Sequence, residues 1–164
     1  MSAPTPRRVL VTGVDTDLGR AFVRRLDAAG DELVLAGGPR DALEALAGEL
    51  DGASSGARPE VLPGDLADAG DLDLVARRLQ ADTRPVDLLV VGPPPPHAAG
   101  LPEAEPADLR AALDRGAGAV LALVRAALPG MIARGHPGPS GVITVAGIAG
   151  FVPATGAAGL VGAV

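Results

Sequence analysis

Residues 11–20 read VTGVDTDLGR, a strand exit running into a helix start with glycines at 13 and 19. A loop of this kind can bind a pyrophosphate. Glycine permits the tight turn, backbone N–H groups face the anion, and a helix N-terminus favours negative charge. Gly13 suits the turn, and Gly19 suits close packing where the helix begins. The middle position, where backbone must come nearest the phosphates, is Asp17, whose bulk and charge oppose them. Asp15 precedes it by two residues. An anion at an exposed helix N-terminus gains only about 0.3–1 kcal/mol, and Asp17 is expected to satisfy that preference itself as a cap. Arg20 could partly compensate by reaching a phosphate. Two readings stay open here: a phosphate loop, or a structural cap and turn.

Other residues capable of chemistry are few. The 164-residue chain has no Cys, Lys, Tyr or Asn, and only two histidines, His97 and His136. That removes thiolate nucleophiles, disulfides, Cys-ligated zinc, Schiff bases and the P-loop lysine. His97 lies in a Pro-rich loop, where it is either a lone general base or, by preference, a solvated side chain. Asp65, Asp68, Asp71 and Asp73 form an acidic cluster without the spacing of a calcium loop, so caps and solvent exposure are expected rather than a metal. Ser54 and Ser55 have no histidine nearby in sequence, and no nucleophile–base pair emerges. The formal net charge of −6 and the absence of any basic run longer than a pair argue against a nucleic-acid partner.

The elements that must position these residues alternate. Buried strands are expected at 7–13, 32–38, 60–66, 86–92 and 141–147, each a short apolar run. Helices are expected at 18–29, with Leu18, Phe22 and Leu26 on one face, and at 40–52, with Leu43, Leu46 and Leu50 inward. Asp71 is read as the cap of a third helix ending near Ala81. A long helix over 107–134 carries the stripe Leu109, Leu113, Val120, Val124, Leu128 and Met131. Residues 93–106 are a Pro-rich loop. Strands alternating with helices imply an α/β, Rossmann-like, doubly wound parallel sheet of about five strands in a single domain. Ligands then bind at the carboxyl ends of the strands. The uncharged stretch 135–164 is long enough for a membrane span, but its prolines and glycines favour a strand, a loop and a packed helix. The N-terminus is not a secretory signal, and a cytoplasmic location without membrane association is expected.

The motifs, in this order, resemble the short-chain dehydrogenase/reductase family. VTGVDTDLGR resembles its VTGxxxGxGR loop, and LAGGPRDALEALAGEL its second strand and following helix. PGDLAD resembles the segment whose aspartate, here Asp65, lies beside the adenine ring. VDLLVVGPP falls where the family has DxLVNNAG, and RAALPGM with GVITVAGIAG resembles its fifth helix and strand. The resemblance implies NAD or NADP as cofactor, held by Gly13, Thr16, Leu18, Gly19, Arg20, Asp65 and Leu66, with Asp17 opposing it. Arg40 has two readings, a contact to a 2′-phosphate or a solvated side chain in the first turn of its helix. Within NNAG, Val91, Gly92, Pro93 and Pro94 replace two amide side chains and remove two backbone donors.

The family's catalytic Ser, Tyr, Lys and Asn positions fall on Gly147, Leu160, Val164 and Gly116. No catalytic residue is therefore assigned, and no register restores the pair, because the sequence holds neither Tyr nor Lys. The chain stops inside the family's sixth helix, so the sheet is expected to be incomplete on its C-terminal side. The helix 107–134 is the expected route to a homo- or hetero-oligomer, since Leu121 and Leu123 extend its apolar surface. The expectation is a non-catalytic scaffold or partner subunit. The competing one is an NAD(P)-dependent oxidoreductase with an unorthodox acid/base, such as His97 or a group from another chain.

Overall fold

A computed structural model describes residues 6–50, 56–81, 83–93, 104–134 and 140–145. Five parallel strands, β1 (Arg8–Thr12), β2 (Glu32–Ala36), β3 (Glu60–Leu62), β4 (Leu88–Val91) and β5 (Gly141–Thr144), form one sheet in the order β3-β2-β1-β4-β5. Apolar residues fill both faces of the central strands, which is why the runs read as continuous rather than alternating. Val11 is flanked by Leu35 on one side and Val90 on the other. Its face carries Val9, Val11, Leu33 and Leu35, packed with Val23, Leu43, Leu46 and Ala47 from α1 (Asp17–Ala28) and α2 (Arg40–Leu50). The opposite face carries Leu10, Val34, Leu89 and Val91. It packs with Val75 and Leu79 of α3 (Ala69–Gln80) and Leu123, Ala127 and Met131 of α5 (Ala119–Ala133). Fully burying one such Val or Leu contributes about 1.5–3 kcal/mol.

The chain builds β1, β2 and β3 outward in one direction, then crosses back through α3 to place β4 on the other side of β1. The switch point, where the strand order reverses, therefore lies between β1 and β4.

Several local expectations are corrected. In α1 the buried positions are Gly19, Val23 and Asp27, while Leu18 is exposed and Phe22 and Leu26 are only partly buried. Close packing of Gly19 against the preceding loop turns the helix by about one residue. The cap of α1 is Thr16, not Asp17: its Oγ1 accepts from the Gly19 N–H at 3.0 Å and donates to the Gly13 carbonyl at 2.8 Å. The cap of α3 is Asp68, not Asp71, accepting from the N–H groups of Gly70 and Asp71.

The long helix runs from Pro106 to Ala133, but not as one α-helix. A π segment, Asp114–Gly118, separates α4 (Pro106–Leu113) from α5. The extra residue of a π turn shifts the inward face. That face is Ala119, Leu123, Ala126, Ala127 and Met131, whereas Leu113 and Leu128 of the expected stripe are exposed. By length and composition alone this helix could cross a membrane; its inward face belongs to the core against the sheet and α3. Strand β3 ends at Leu62 and β5 at Thr144. Ser54, Ser55, His97, His136, Pro94, Gly147, Leu160 and Val164 lie outside the described residues.

Candidate functional site

Four strand exits enclose a cavity of about 620 Å³. Thr12, Gly13 and Asp15 come from the end of β1, Gly37 to Arg40 from β2, Pro63 to Leu66 from β3, and Gly92 from β4. Arg115, on the π segment, completes the lining.

Glycines set how closely these exits approach. Gly13 has φ of +68°, in the left-handed region that favours glycine. A Cβ there would stand 2.8 Å from the Pro93 carbonyl oxygen, and one on Gly92 would stand 2.5 Å from that of Thr12. The β1 and β4 exits therefore touch across the switch point through backbone alone. On the other side, Gly38 and Gly64 exchange two N–H···O bonds, 2.7 and 3.1 Å long, joining the β2 and β3 exits.

Asp65 is held from several directions. Its N–H donates to Asp71 Oδ2 at 2.8 Å, and its Oδ1 accepts from the Ala67 N–H at 2.9 Å. Across the cavity, Arg115 donates from Nε to Oδ1 and from Nη2 to Oδ2, both at 2.8 Å. This is a bidentate fork on a carboxylate. The Arg115 hydrogen bonds hold the Asp65 carboxyl below its ordinary range, against a smaller opposing effect of burial. Asp68 and Asp71 serve the turn as described, and Asp73 pairs with Arg77 one helical turn away. All four members of the acidic cluster thus have partners within the fold.

Of the residues proposed to hold a dinucleotide, Gly13, Asp65 and Leu66 line the cavity. Thr16 and Gly19 lie beside it and build the cap. Leu18 is exposed, and Arg20 is half-buried in the first turns of α1. Asp17 occupies the first turn of α1 and faces solvent, while Asp15 lines the cavity itself. Arg40 lines the cavity at the β2 exit, and its Nη1 is 3.8 Å from Glu44. Sequence reasoning missed Arg115. Its neighbour Gly116 falls on an empty catalytic position of the family, but nothing local in the sequence links residue 115 to residue 65.

A dinucleotide fits this cleft in part. The backbone suits it: a glycine turn at the N-terminus of a helix, and strand exits without side-chain bulk. The polar side chains do not. Asp15 stands in the cavity, Pro93 offers no N–H, and Asp65 is committed to Arg115.

The short chain dehydrogenase family model matches residues 7–159. The chain is 34% identical over 122 residues, 74% of its own length and 48% of the relative's, to (2S)-[(R)-hydroxy(phenyl)methyl]succinyl-CoA dehydrogenase subunit BbsC of Thauera aromatica. A short-chain dehydrogenase from Sphingobium yanoikuyae, solved in complex with NADPH, superposes with a TM-score of 0.81 at 26% identity. That match covers 96% of this chain and 59% of the other. A 3-oxoacyl-(acyl-carrier-protein) reductase from Agrobacterium tumefaciens with NADP bound gives 0.78 at 29% identity, covering 96% and 60%. The chain spans about a third to a half of the length of curated relatives it matches. On the family match, the strand order and the glycine turn after β1, the chain belongs to the short-chain dehydrogenase/reductase family.

Proposed function

We propose that this chain is a non-catalytic member of its family, acting as a scaffold or as the partner subunit of an active dehydrogenase. The observation that carries this reading is the absence of every Tyr and Lys from the sequence. Carbonyl reduction by hydride transfer needs a proton donor within hydrogen-bond reach of the developing alkoxide. The resemblance puts Leu160 and Val164 where the phenol and ammonium would stand. Gly116 and Gly147 take the amide and hydroxyl positions.

The cleft supports the same reading. Asp15 within it and Asp17 at the start of α1 place negative charge along the path of a pyrophosphate. Arg40 is the counterweight, positioned for a phosphate near the β2 exit, so weak binding of NADP is compatible with a silent site. The relative from Thauera aromatica is itself named as a dehydrogenase subunit, which favours a partner role. A surface for such a partner is the outward side of the Pro106–Ala133 helix, where Leu113, Leu121, Leu128 and Ile132 are exposed. Large apolar side chains aligned on one face mark an association surface.

The test is reconstitution. The purified chain is assayed with NADH and NADPH on a panel of ketones, alone and mixed with a dehydrogenase of the same family from the same cell. The reading expects no turnover alone and a stable complex with the second chain. Leu121→Arg with Ile132→Arg should abolish that complex. A monomer that binds no family member and turns over ketone by itself would overturn it.

A further inference from the structure

We propose that the Asp65–Arg115 pair is a latch on the base end of the cleft: Arg115 occupies the acceptor that a purine amine would use, and a base engages only when the pair opens. The proposal deepens the reading above and rests on its placing a nucleotide-type cleft in this chain.

Position comes first. In sheets of this order the pyrophosphate lies over the start of the first helix and the nucleoside half extends toward the second strand. That end of the cavity is walled by Gly37, Gly38, Gly64, Asp65 and Leu66. Leu66 packs so near the β2 exit that a Cβ on Gly37 would stand 3.0 Å from it, leaving an apolar wall against a bare backbone. A flat base suits such a slot. Asp65 is the carboxylate on its rim, and an ionised carboxylate only accepts, so its partner there would be an N–H donor such as an exocyclic amine.

Both acceptor atoms are already engaged, and the two sides of the pair are unequal. Asp65 is fixed by its own neighbourhood through Asp71 and Ala67. Arg115 is a long side chain, and among the described residues Asp65 is the one hydrogen-bond partner of its guanidinium. Its side chain is 38% exposed and that of Asp65 48%. Solvent screens a pair exposed to this degree, so it opens at little cost. When it opens, Arg115 leaves and Asp65 stays in place to receive the donor. Arg115 sits on the π segment, and π turns within α-helices are frequent at functional sites.

The test uses adenosine, which is uncharged, so that altering the charge at residue 115 does not itself attract or repel the probe. The full chain, Arg115→Leu, Arg115→Gln, and each of these combined with Asp65→Ala are titrated by calorimetry. Circular dichroism and melting temperature verify that each variant is folded, and the glutamine variant carries the test where leucine disturbs the segment. The latch predicts that freeing Asp65 tightens adenosine binding about two- to five-fold, the equivalent of opening one exposed ion pair. It also predicts that the gain vanishes with Asp65→Ala. In the unmodified chain, raising the salt concentration should tighten adenosine binding in the same direction, because salt weakens the pair. Unchanged or weaker binding in the Arg115 variants, or a gain that survives the loss of Asp65, would overturn the latch. Either result leaves the proposed function standing, since that depends on turnover and assembly rather than on adenosine.

Discussion

A Cβ on Gly19 would lie 2.0 Å from the carbonyl oxygen of Gly13. The glycine at position 19 is therefore demanded by packing of the helix start against its own loop, whatever the loop binds. This separates two meanings of a glycine motif: Gly13 and Gly19 build the turn, while closeness to a phosphate depends on position 17, where glycine is absent. Gly19→Ala is expected to destabilise the fold by about 3 kcal/mol or more, because the clash is with backbone rather than a movable side chain. Urea unfolding followed by circular dichroism measures this. An unchanged midpoint would show that the loop and helix are less tightly joined than described.

At the opposite end of the sheet, Arg7 clamps Asp31 with Nε at 3.0 Å and Nη2 at 2.6 Å, and the Asp31 side chain is only 5% exposed. Arg7→Ala strands that carboxylate without its cation. The expected loss is about 2–4 kcal/mol, more than for the exposed pair Arg24–Glu49, whose removal should cost under about 1 kcal/mol. Chemical denaturation of the two single variants gives the comparison. Equal effects would mean that burial of Asp31 carries no penalty.

Acid sensitivity follows from Asp65 and Glu32. Arg115 holds the first below its ordinary pKa, and Arg8, with Arg84, does the same for the second. Each binds its proton less tightly folded than unfolded. Their contribution is therefore complete above the unfolded carboxylate range and is lost as pH falls through the lower folded values. Both are partly exposed, so the effect is small. Melting temperature measured from pH 6 to pH 2 should decline below about pH 4, less steeply in Arg115→Leu. An identical slope in that variant would remove Asp65 from the explanation.

Much of the architecture was legible because the strands announce themselves. RVLVT, ELVLA and LLVV are short, apolar on both faces and followed by Gly or Pro, and they became β1, β2 and β4. Helical faces were less legible. An uninterrupted 3.6-residue period places Leu113 and Leu128 inward, but the π segment at Asp114–Gly118 shifts the register, and the small Ala119, Ala126 and Ala127 make the close contact instead. In α1, Gly19 draws its own side of the helix inward and leaves Leu18 outside. The cleft's glycines and Asp65 were found from the loop motifs. Arg115 was not, because it meets Asp65 only through the folding of a distant helix over the β3 exit. The helix begins at Ala69, so Asp68 precedes it as the cap, while Asp71 lies inside the first turn with its carboxylate accepting from the Asp65 N–H.

Asp17 gives a direct probe of the phosphate end. It lies in the first turn of α1, where a negative side chain competes with any other anion for the helix N-terminus. Asp17→Gly should tighten NADPH binding by about two- to five-fold, the equivalent of about 0.3–1 kcal/mol. Isothermal titration at low salt reads this directly. No change would indicate that Asp15, inside the cavity, sets the barrier.

Proton supply decides whether this chain turns over a ketone alone, since the sequence carries neither Tyr nor Lys to act as donor or to tune one. The most direct measurement is single-chain turnover: purified protein, saturating NADPH and a panel of ketones, with cofactor oxidation followed against a protein-free control. The expected result is a rate indistinguishable from that control across pH 5–9. A reproducible rate well above it, scaling with the concentration of this chain alone, would mean that the chain supplies the proton itself.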